Sequence, residues 1–358
     1  MRFISRRVVL RATAGAAALF TTTTGVPPTL AAPVSGDLPQ YVTLSRTGDR
    51  MPLVGLGTWE SAPGEVGGAV AAALDAGCTH IDCAAAYRNE KEIGGALKAS
   101  GIPRKSLFLT SKLWNDRRRP QDVRDALDTT LSRLGTDYLD LYLVHWPVVW
   151  AKNSVMKPDG GASLRECWQT LEALVDEGKV RNIGVSNMKQ SELEELFSYA
   201  RIRPSVNQIE LHPRLPQSAL VEYCQQRQVA LTAYSPLGRG DVKKAGLLAS
   251  PTVTAIAQAH KVSTASVLLR WNLERNVVVI PKSVNPTRIA SNVREPWSFA
   301  LTAEERTALA ALEDGARFCT APWSTFDDKT TSARALEGVI TLLARGVFSV
   351  ASLDITHF

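Results

Sequence analysis

The stretch Leu-Asp-Leu-Tyr-Leu-Val-His-Trp-Pro, residues 139–147, decides the fold class of this chain. Its largely apolar run has the length of a strand buried on both faces, and the polar side chain of His145 follows at once. Two other apolar runs end in the same way, at Asp82 in His-Ile-Asp-Cys-Ala-Ala-Ala-Tyr (80–87) and at Lys112 in Thr-Ser-Lys-Leu-Trp (110–114). Reactive side chains at the carboxyl ends of buried strands are typical of the active face of a parallel barrel.

From Tyr41 onward, apolar runs of strand length alternate with amphipathic stretches of helix length, which is the pattern of repeated βα units. A hairpin of residues 42–44 and 51–54 comes first. Eight strands are predicted at 53–56, 80–82, 107–110, 139–144, 182–185, 205–209, 230–233 and 277–280. Eight helices are predicted at 64–76, 91–100, 121–134, 163–177, 191–200, 217–227, 251–259 and 286–290.

This pattern predicts an α/β fold, a (β/α)8 TIM barrel with an N-terminal hairpin. Two long loops, 147–162 and 235–250, leave the carboxyl ends of predicted strands and should wall the active face. We expect the barrel to span residues 41–326, after an export signal at 1–32 and before a C-terminal extension of unknown role at 327–358. No Gly-x-Gly-x-x-Gly fingerprint follows a strand and opens a helix, so a nicotinamide cofactor cannot be held in the Rossmann manner.

Composition excludes several classes of partner. The chain has 358 residues, of which 45% are hydrophobic and 21% charged, and no apolar run approaches the roughly 20 residues of a membrane span. Its net charge of +6 falls to +2 without the four arginines of residues 1–32, because 37 basic residues then face 35 acidic ones. The remaining basic run, 117–119, is interpreted as a solvated loop, so no nucleic acid partner is expected. The five scattered cysteines contain no Cys-x-x-Cys pair, and we expect no metal site.

The N-terminal segment, residues 1–32, has the parts of an export signal: a basic start, an apolar stretch and small residues at its end. Within it, Ser-Arg-Arg-Val-Val-Leu-Arg (5–11) resembles a twin-arginine signal, which directs folded proteins across a membrane. We therefore expect export to the periplasm or the exterior. The alternative is a cytoplasmic enzyme with a fortuitous basic leader.

Tyr87, Lys112, Asp82 and His145 form a set suited to protonating a carbonyl oxygen. A phenol has an ordinary pKa of about 10 and needs a cation to become a better acid. An ammonium about 4 Å away, at an effective dielectric of about 20, favours phenolate by about 4 kcal/mol, or about three pKa units before burial is counted. Lys112 supplies the cation, Asp82 holds it charged, and His145 orients the carbonyl. Taken singly, each has a structural alternative: a core ion pair, a loop aromatic or a core histidine.

The chain resembles the aldo-keto reductases over about residues 41–326, and most closely their bacterial 2,5-diketo-D-gluconate reductase branch. The resemblance rests on motifs that occur in order: Gly-Leu-Gly-Thr-Trp (55–59), His-Ile-Asp-Cys-Ala-Ala-Ala-Tyr-Arg-Asn-Glu (80–90), Lys-Leu-Trp-Asn-Asp (112–116), Asp-Leu-Tyr-Leu-Val-His-Trp-Pro (140–147), Ile-Gly-Val-Ser-Asn (183–187), Asn-Gln-Ile-Glu-Leu-His-Pro (207–213), Ala-Tyr-Ser-Pro-Leu-Gly (233–238) and Ile-Pro-Lys-Ser (280–283) with Arg288 and Asn292. Two positions depart from the usual family pattern, namely Cys83 and Ser291.

The resemblance implies a role for each matching residue. Tyr87 would be the general acid, Lys112 and Asp82 the pair that tunes it, and His145 the group that orients the substrate. NADPH would be held by Gly57, Thr58, Ser186, Asn187, Gln208, Tyr234, Ser235, Leu237, Lys282, Ser283, Arg288 and Asn292. Within that set, Ser186, Asn187 and Gln208 would bind the carboxamide, the Tyr234 ring would stack on the nicotinamide, Ser235 and Leu237 would line the pyrophosphate, and Lys282, Ser283 and Arg288 would bind the 2′-phosphate. Trp59, Trp114 and Trp146 would wall the substrate pocket.

The implied activity is reversible, NADPH-dependent reduction of aldehydes or ketones to alcohols, with keto-sugars or 2-keto carbonyls among the candidate substrates. We expect a monomer. One alternative is a nicotinamide-binding sensor or interaction subunit with little turnover. Another is a barrel lyase or isomerase that uses Lys112 as a Schiff-base amine, which would leave Lys282 and Arg288 without a role.

Overall fold

Eight parallel strands form one sheet that curls until its first and last members meet. The computed structural model of the protein describes residues 38–59, 61–240, 246–321 and 323–324. The strands are β3 (Gly55–Gly57), β4 (His80–Asp82), β5 (Phe108–Leu113), β6 (Leu139–Val144), β7 (Val180–Ser186), β8 (Val206–Glu210), β9 (Ala230–Tyr234) and β10 (Val278–Val279), and they neighbour one another in chain order. Parallel bridges from Val54 to Val279 and from Gly57 to Lys282 close the ring. The predicted (β/α)8 barrel is confirmed.

The predicted carboxyl ends of the strands are accurate to within one residue except at β5. This strand runs on to Leu113 instead of ending at Thr110, so Lys112 lies inside the strand and not just beyond it. The difference follows from pairing, because Lys112 and Leu113 lie opposite Leu143 and Val144 of β6. Three consecutive polar side chains, Thr110, Ser111 and Lys112, interrupt the apolar run and concealed this continuation from the sequence pattern.

The predicted hairpin consists of β1 (Tyr41–Thr43) and β2 (Arg50–Pro52), which pair antiparallel. Its turn contacts the beginning of β7, where the Asn182 side chain donates to the Asp49 carboxylate at 2.7 Å and Arg181 forms an ion pair with the same group. Two of its own side chains, Leu44 and Met51, are buried in the hydrophobic core. The hairpin thus covers the amino end of the barrel, opposite the face on which the reactive side chains were expected.

Ten helices occur in the described part of the chain: α1 (Val66–Asp75), α2 (Glu90–Ser100), α3 (Pro120–Leu134), α4 (Leu164–Asp176), α5 (Gln190–Tyr199), α6 (Ser218–Gln226), α7 (Pro251–His260), α8 (Thr264–Leu273), α9 (Pro286–Arg294) and α10 (Ala303–Ala310). The sequence pattern predicted neither α8 nor α10. All eight residues from Ser266 to Leu273 of α8 are buried, so this helix has no polar face to produce the usual periodic signal. Among the described helices, none is long and apolar enough to cross a membrane.

The seam between β3 and β10 requires a glycine at position 57. A Cβ atom there would lie 2.6 Å from the carbonyl oxygen of Ile280, which is too close for any side chain. Instead the Gly57 N–H donates to the Pro281 carbonyl at 3.2 Å, and the Val279 N–H donates to the Leu53 carbonyl at 2.8 Å. Close backbone contact therefore joins the first and last strands of the barrel.

Glu295 should make the stability of the fold sensitive to acid. Its carboxylate accepts hydrogen bonds from the Ser263 and Ser266 hydroxyls at the start of α8. Burial alone would raise the pKa of Glu295, but these bonds outweigh it and lower the pKa to about 2. Since the folded pKa lies below the unfolded one, the stabilisation is complete above about pH 4.5 and is lost as the pH falls towards 2.

We predict that Glu295→Gln lowers the free energy of unfolding at pH 7 by about 1.5 kcal/mol, the lower end of the range for hydrogen bonds to a charged group, because Glu295 is partly exposed to solvent. The difference from wild type should shrink as the pH is lowered through the acid range. Urea unfolding at several pH values measures both quantities. Exposed Glu313 provides the control, since Glu313→Gln should leave the pH dependence unchanged. A difference that stays constant down to pH 2 would contradict the prediction.

Candidate active site

The four residues expected to perform the chemistry meet at the carboxyl face of the barrel. Asp82 is the last residue of β4, and Tyr87 ends a short helical turn (Ala85–Tyr87) that follows it. Lys112 extends from β5, and His145 directly follows β6. Three consecutive strands and one following turn therefore supply the set, and sequence reasoning had placed all four on this face.

Lys112 is the centre of the set. Its side chain is fully buried and forms an ion pair with the Asp82 carboxylate, while its ammonium also donates to the Cys83 carbonyl at 2.9 Å. The same ammonium lies 5.1 Å from the centroid of the Tyr87 ring. The second oxygen of Asp82 accepts from the Gln208 side chain at 2.8 Å. Both charges of the buried pair are thus hydrogen-bonded, which a buried ion pair requires.

Burial and charge act in opposite directions on the pKa values of this set. Burial raises the pKa of Tyr87 to about 12, and it outweighs the lowering by the Lys112 ammonium that the sequence argument anticipated. For Lys112 burial lowers the pKa, but the charge and the hydrogen bond of the Asp82 carboxylate prevail and raise it above its ordinary value. At neutral pH the phenol therefore carries its proton and the ammonium its charge.

His145 is held as a neutral imidazole. Burial lowers its pKa well below the ordinary value, and the positive charges of Lys112 and Arg118 lower it further. The ring packs edge-on against Tyr87, with centroids 5.8 Å apart, and against Trp114, with centroids 4.9 Å apart. Its Nδ1 atom has no hydrogen-bond partner within the described residues. A neutral imidazole beside a phenol can hydrogen-bond the same carbonyl oxygen as the phenol. It thereby helps to orient that oxygen without adding a second charge.

Arg118 was wrongly interpreted as part of a solvated loop. It is only 1% exposed, and its guanidinium donates to the Trp146 carbonyl at 2.8 Å and to the Val148 carbonyl at 3.3 Å. Its third acceptor is the Asn115 side chain, at 3.3 Å. Arg118 thereby fixes the chain that follows His145. Its neighbours in the run, Arg117 and Arg119, do pair with surface acids, so the sequence offered no sign that the middle arginine points inward.

A second polar group lies beside Asp82 at the ends of β7, β8 and β9. The Ser186 hydroxyl donates to the Gln208 carbonyl at 2.8 Å, and the Tyr234 hydroxyl donates to the Asn187 side chain at 2.7 Å. Asn187 also donates to the His145 carbonyl at 2.9 Å. Its backbone is left-handed, with φ at 62°, a strained conformation for a residue other than glycine. The structure therefore brings together Ser186, Asn187, Gln208 and Tyr234.

Four further candidates lie along the rim. Thr58 is buried and its hydroxyl donates to the Asp82 carbonyl at 2.8 Å, directly after Gly57 at the barrel seam. Ser235 adopts a left-handed backbone, with φ at 48°, and its carbonyl accepts from the Gly238 N–H at 2.9 Å. Leu237, in the same turn, is partly buried against the core. The loop 235–250 continues from here, and its residues 241–245 lie outside the described part of the chain.

The candidate phosphate group surrounds the start of α9. Lys282 and Arg288 are exposed, whereas Ser283 is 8% exposed and its hydroxyl accepts from the Asn285 N–H at 3.2 Å. The Asn285 side chain caps the helix by accepting from the Arg288 N–H at 3.0 Å. Asn292, one helical turn further on, is buried. Two cations at a helix N-terminus form an environment that favours a phosphate.

Tryptophans form an aromatic cluster next to His145, and the cluster is larger than expected. Besides Trp114 and Trp146 it contains Trp150, from the loop after β6, and Trp323, from the segment after α10. Neither was singled out from the sequence, although Trp150 lies only four positions beyond Trp146. Trp59 closely follows β3, and the Arg239 guanidinium lies 4.6 Å from its ring centroid.

A closed βα barrel that carries this set of residues on its carboxyl face defines a class of oxidoreductases acting on carbonyl compounds. The chain belongs to the aldo-keto reductases: the family model described as "Aldo/keto reductase family" matches residues 53–314. Proteins of this family typically use NADPH.

Similar proteins match this chain over nearly their whole length. Aldo-keto reductase family 1 member A1 of Bos taurus is 45% identical over 304 residues, which cover 80% of this chain and 93% of that protein. The Homo sapiens protein of the same name is 44% identical, with the same two coverages. Among solved structures, the aldose reductase from Schistosoma japonicum superposes with a TM-score of 0.74 at 38% identity, covering 82% of this chain and 99% of that one.

Proposed function

We propose that this protein reduces an aldehyde or ketone to the alcohol with NADPH, and that Tyr87 is its general acid. The observation that carries the proposal is the buried Lys112, charged by its ion pair with Asp82 and placed against the Tyr87 ring. The arrangement also opposes use of Lys112 as a Schiff-base amine. Its raised pKa keeps the amine protonated, and a protonated amine is not a nucleophile.

The residues present fit a nicotinamide nucleotide in two places. The amides of Asn187 and Gln208, with the Ser186 hydroxyl, offer the donors and acceptors that a carboxamide needs, beside Asp82 and Tyr87. The start of α9 offers Lys282 and Arg288 to a phosphate. The residues proposed to hold the cofactor are Gly57, Thr58, Ser186, Asn187, Gln208, Tyr234, Ser235, Leu237, Lys282, Ser283, Arg288 and Asn292.

The catalytic roles follow from the geometry. When bound, NADPH supplies the hydride that reduces the carbonyl carbon. Tyr87 donates its hydroxyl proton to the carbonyl oxygen, and the Lys112 ammonium stabilises the charge that this leaves on the phenol oxygen. Asp82 keeps Lys112 charged and in place. Neutral His145 hydrogen-bonds the carbonyl oxygen and sets its orientation, while the neighbouring tryptophans exclude water.

Loss of NADPH absorbance in the presence of carbonyl compounds tests the proposal. The purified chain is assayed with aromatic aldehydes, aliphatic aldehydes and 2-keto sugars, each with NADPH and with NADH. We expect turnover of at least one class, with a preference for NADPH. Tight binding of NADPH without turnover of any carbonyl would refute reduction and support the sensor alternative.

Arg288 should distinguish the two nicotinamide cofactors. Arg288→Ala removes a charged hydrogen bond to the 2′-phosphate, and such bonds contribute about 1.5–3 kcal/mol, so NADPH affinity should fall about 10- to 100-fold. The affinity for NADH, which lacks that phosphate, should not change. Fluorescence titration with each cofactor measures both. Arg294, at the other end of α9, provides the control, because Arg294→Ala removes an equal charge remote from the helix N-terminus. Equal losses for both cofactors would contradict the assignment.

We further propose that the protein is a monomer and that its substrate is a small carbonyl compound. The resemblance to the 2,5-diketo-D-gluconate reductase branch favours keto-sugars or 2-keto carbonyls as substrates.

We also propose export of the protein. Export through the twin-arginine signal of residues 1–32 would place the enzyme outside the cytoplasm. Fractionation of cells expressing the Arg6→Lys, Arg7→Lys variant tests export, and an unchanged distribution would refute it.

A further inference from the structure

Residues 314–321 together with Trp323 and Ser324, termed here the closing segment, lie over the carboxyl face of the barrel. At their start, the Asp314 and Gly315 N–H groups donate to the Arg214 carbonyl, at 3.3 and 3.1 Å. At their end, Trp323 packs in the aromatic cluster next to the proposed active site. The segment therefore connects the loop after β8 with the region in which a substrate would bind.

Glu210, the last residue of β8, holds the middle of this segment. Its side chain is fully buried, and its two oxygens accept the Phe318 N–H at 2.7 Å and the Cys319 N–H at 3.0 Å. The ring of His212 contacts the same carboxylate at 3.0 Å, and the Arg317 guanidinium lies 4.0 Å from it. A buried carboxylate that lost the two backbone donors would lack much of its compensation, so the segment and Glu210 stabilise each other.

Apolar and polar contacts around Phe318 reinforce this attachment. The Phe318 ring lies 4.9 Å from the ring of His212, and its carbonyl accepts from the Arg239 guanidinium at 3.3 Å. Phe318 also packs against the apolar cluster formed by α7, α8 and α10. The backbone direction of the segment is thus fixed four or five residues before Trp323.

Trp323 contacts three other tryptophans. Its ring centroid lies 4.9 Å from that of Trp150, 6.0 Å from that of Trp146 and 6.1 Å from that of Trp114, all in edge-to-face geometry. Trp114 in turn packs on His145. Edge-to-face aromatic contacts are favourable beyond the area that they bury, so Trp323 adds one more aromatic wall beside the group proposed to orient the carbonyl.

We propose that Glu210 is a positioning residue that latches the closing segment, so that Trp323 forms a wall of the substrate pocket and favours ring-bearing carbonyl compounds over small aliphatic ones. The substrate preference rests on the proposed function, whereas the latch itself does not. Glu210 lies on a barrel strand and Trp323 beyond the last helix, so the pocket wall depends on an attachment at Phe318 and Cys319, four or five residues earlier in the chain.

Hydrogen–deuterium exchange of the full chain tests the latch without any need for turnover. Glu210→Gln keeps the shape of the side chain but turns its NH₂ group towards a backbone donor. Because charge-assisted bonds contribute about 1.5–3 kcal/mol, exchange at Phe318 and Cys319 should accelerate about 10- to 100-fold. Exchange in β4–β7 should stay as in wild type. Glu222→Gln, on the exposed face of α6, is the matched control. If Glu210→Gln does not fold, Phe318→Ala is used in its place, because it loosens the closing segment by removing one of the segment's own side chains.

Steady-state kinetics with 4-nitrobenzaldehyde and propanal tests the pocket wall. Trp323→Leu should raise the KM for 4-nitrobenzaldehyde about 10-fold, as expected for several lost aromatic contacts, and leave that for propanal within about 2-fold. Glu210→Gln should act in the same direction, with kcat and the KM for NADPH nearly unchanged. In the double variant Glu210→Gln, Trp323→Leu, the substitution of Glu210 should cause no further rise in the KM for 4-nitrobenzaldehyde. The reason is that Glu210 acts on this KM only through the position of Trp323. Trp323→Phe should recover part of the loss, and Trp297→Leu should cause none.

The two measurements separate the possible failures. Unchanged exchange at residues 318 and 319 in Glu210→Gln would overturn the latch, and additive effects in the double variant would overturn its link to Trp323. Absence of turnover by wild type with every carbonyl would refute the proposed function and the substrate preference, while the exchange result would still decide the latch.

Discussion

Tyr87→Phe should lower kcat for carbonyl reduction by about 100- to 10,000-fold, the contribution typical of a positioned general acid. The substitution removes only the hydroxyl, and the Lys112 ammonium keeps both the Asp82 carboxylate and the Cys83 carbonyl as acceptors. We therefore expect the fold and the affinity for NADPH to remain near wild type. Single-turnover reduction and fluorescence titration of NADPH measure the two effects separately.

Tyr142 provides a matched control on the neighbouring strand β6. It is fully buried, and its hydroxyl has no hydrogen-bond partner among the residues that the structure describes. Tyr142→Phe thus removes the same atom from the interior without touching the proposed acid, and kcat should be unchanged. If Tyr87→Phe retained turnover within about 3-fold of wild type, far less than a general acid contributes, another group would have to deliver the proton.

The pH dependence follows from the direction of the Tyr87 shift. Because burial raises the pKa of Tyr87 to about 12, the phenol stays protonated through the neutral and mildly alkaline range. Ionisation of Tyr87 should therefore cause no fall in the rate of reduction until the pH approaches 12. His145 adds no step near neutrality either, since its pKa lies well below its ordinary value.

Lys112→Met should reduce both activity and stability. Loss of the ammonium leaves the Asp82 carboxylate buried without its counter-charge, and breaking a buried ion pair in this way costs about 3–5 kcal/mol. Tyr87 also loses the charge that lowers its pKa, so kcat should fall at least about 100-fold, as for loss of a tuned acid. Urea unfolding and NADPH oxidation measure the two losses.

A double variant separates the two roles of Lys112. Adding Asp82→Asn removes the uncompensated charge, so most of the lost stability should return. Activity should not return, because no cation then faces Tyr87. Recovery of both would show that Lys112 only maintains the fold. A loss of stability below about 1 kcal/mol in the single variant would show that Asp82 is compensated by other groups, such as the Gln208 amide.

The alternation of apolar runs was sufficient to predict the barrel, because a parallel strand buried on both faces is a nearly continuous apolar run. It was insufficient for α8, whose sequence Thr-Ala-Ser-Val-Leu-Leu-Arg-Trp-Asn-Leu is buried along almost its whole length. A helix surrounded by protein has no polar face, and the pattern then resembles the strand that follows it. The prediction failed where burial removed the contrast on which it depended.

For the site, chemistry and family resemblance predicted which residues meet, but not how burial would act on them. The Coulomb argument gave the direction in which Lys112 shifts the pKa of Tyr87, yet the extent of burial, which decides the net value, depends on the whole fold. Glu210 and Trp323 escaped notice for a related reason. Glu210 meets Phe318 across 108 positions of sequence, and no local pattern encodes such a contact.

Because of the close backbone contact at Gly57, the barrel can close only late in the synthesis of the chain. Gly57 is bridged to Lys282, so a proposed phosphate ligand just beyond the last strand adjoins residues of the first barrel strand. A ribosome releases the chain from its amino end at about 5–20 residues per second, and β3 must wait for β10 before it has both neighbours. Cofactor binding during synthesis would therefore report that translation has passed the final strand.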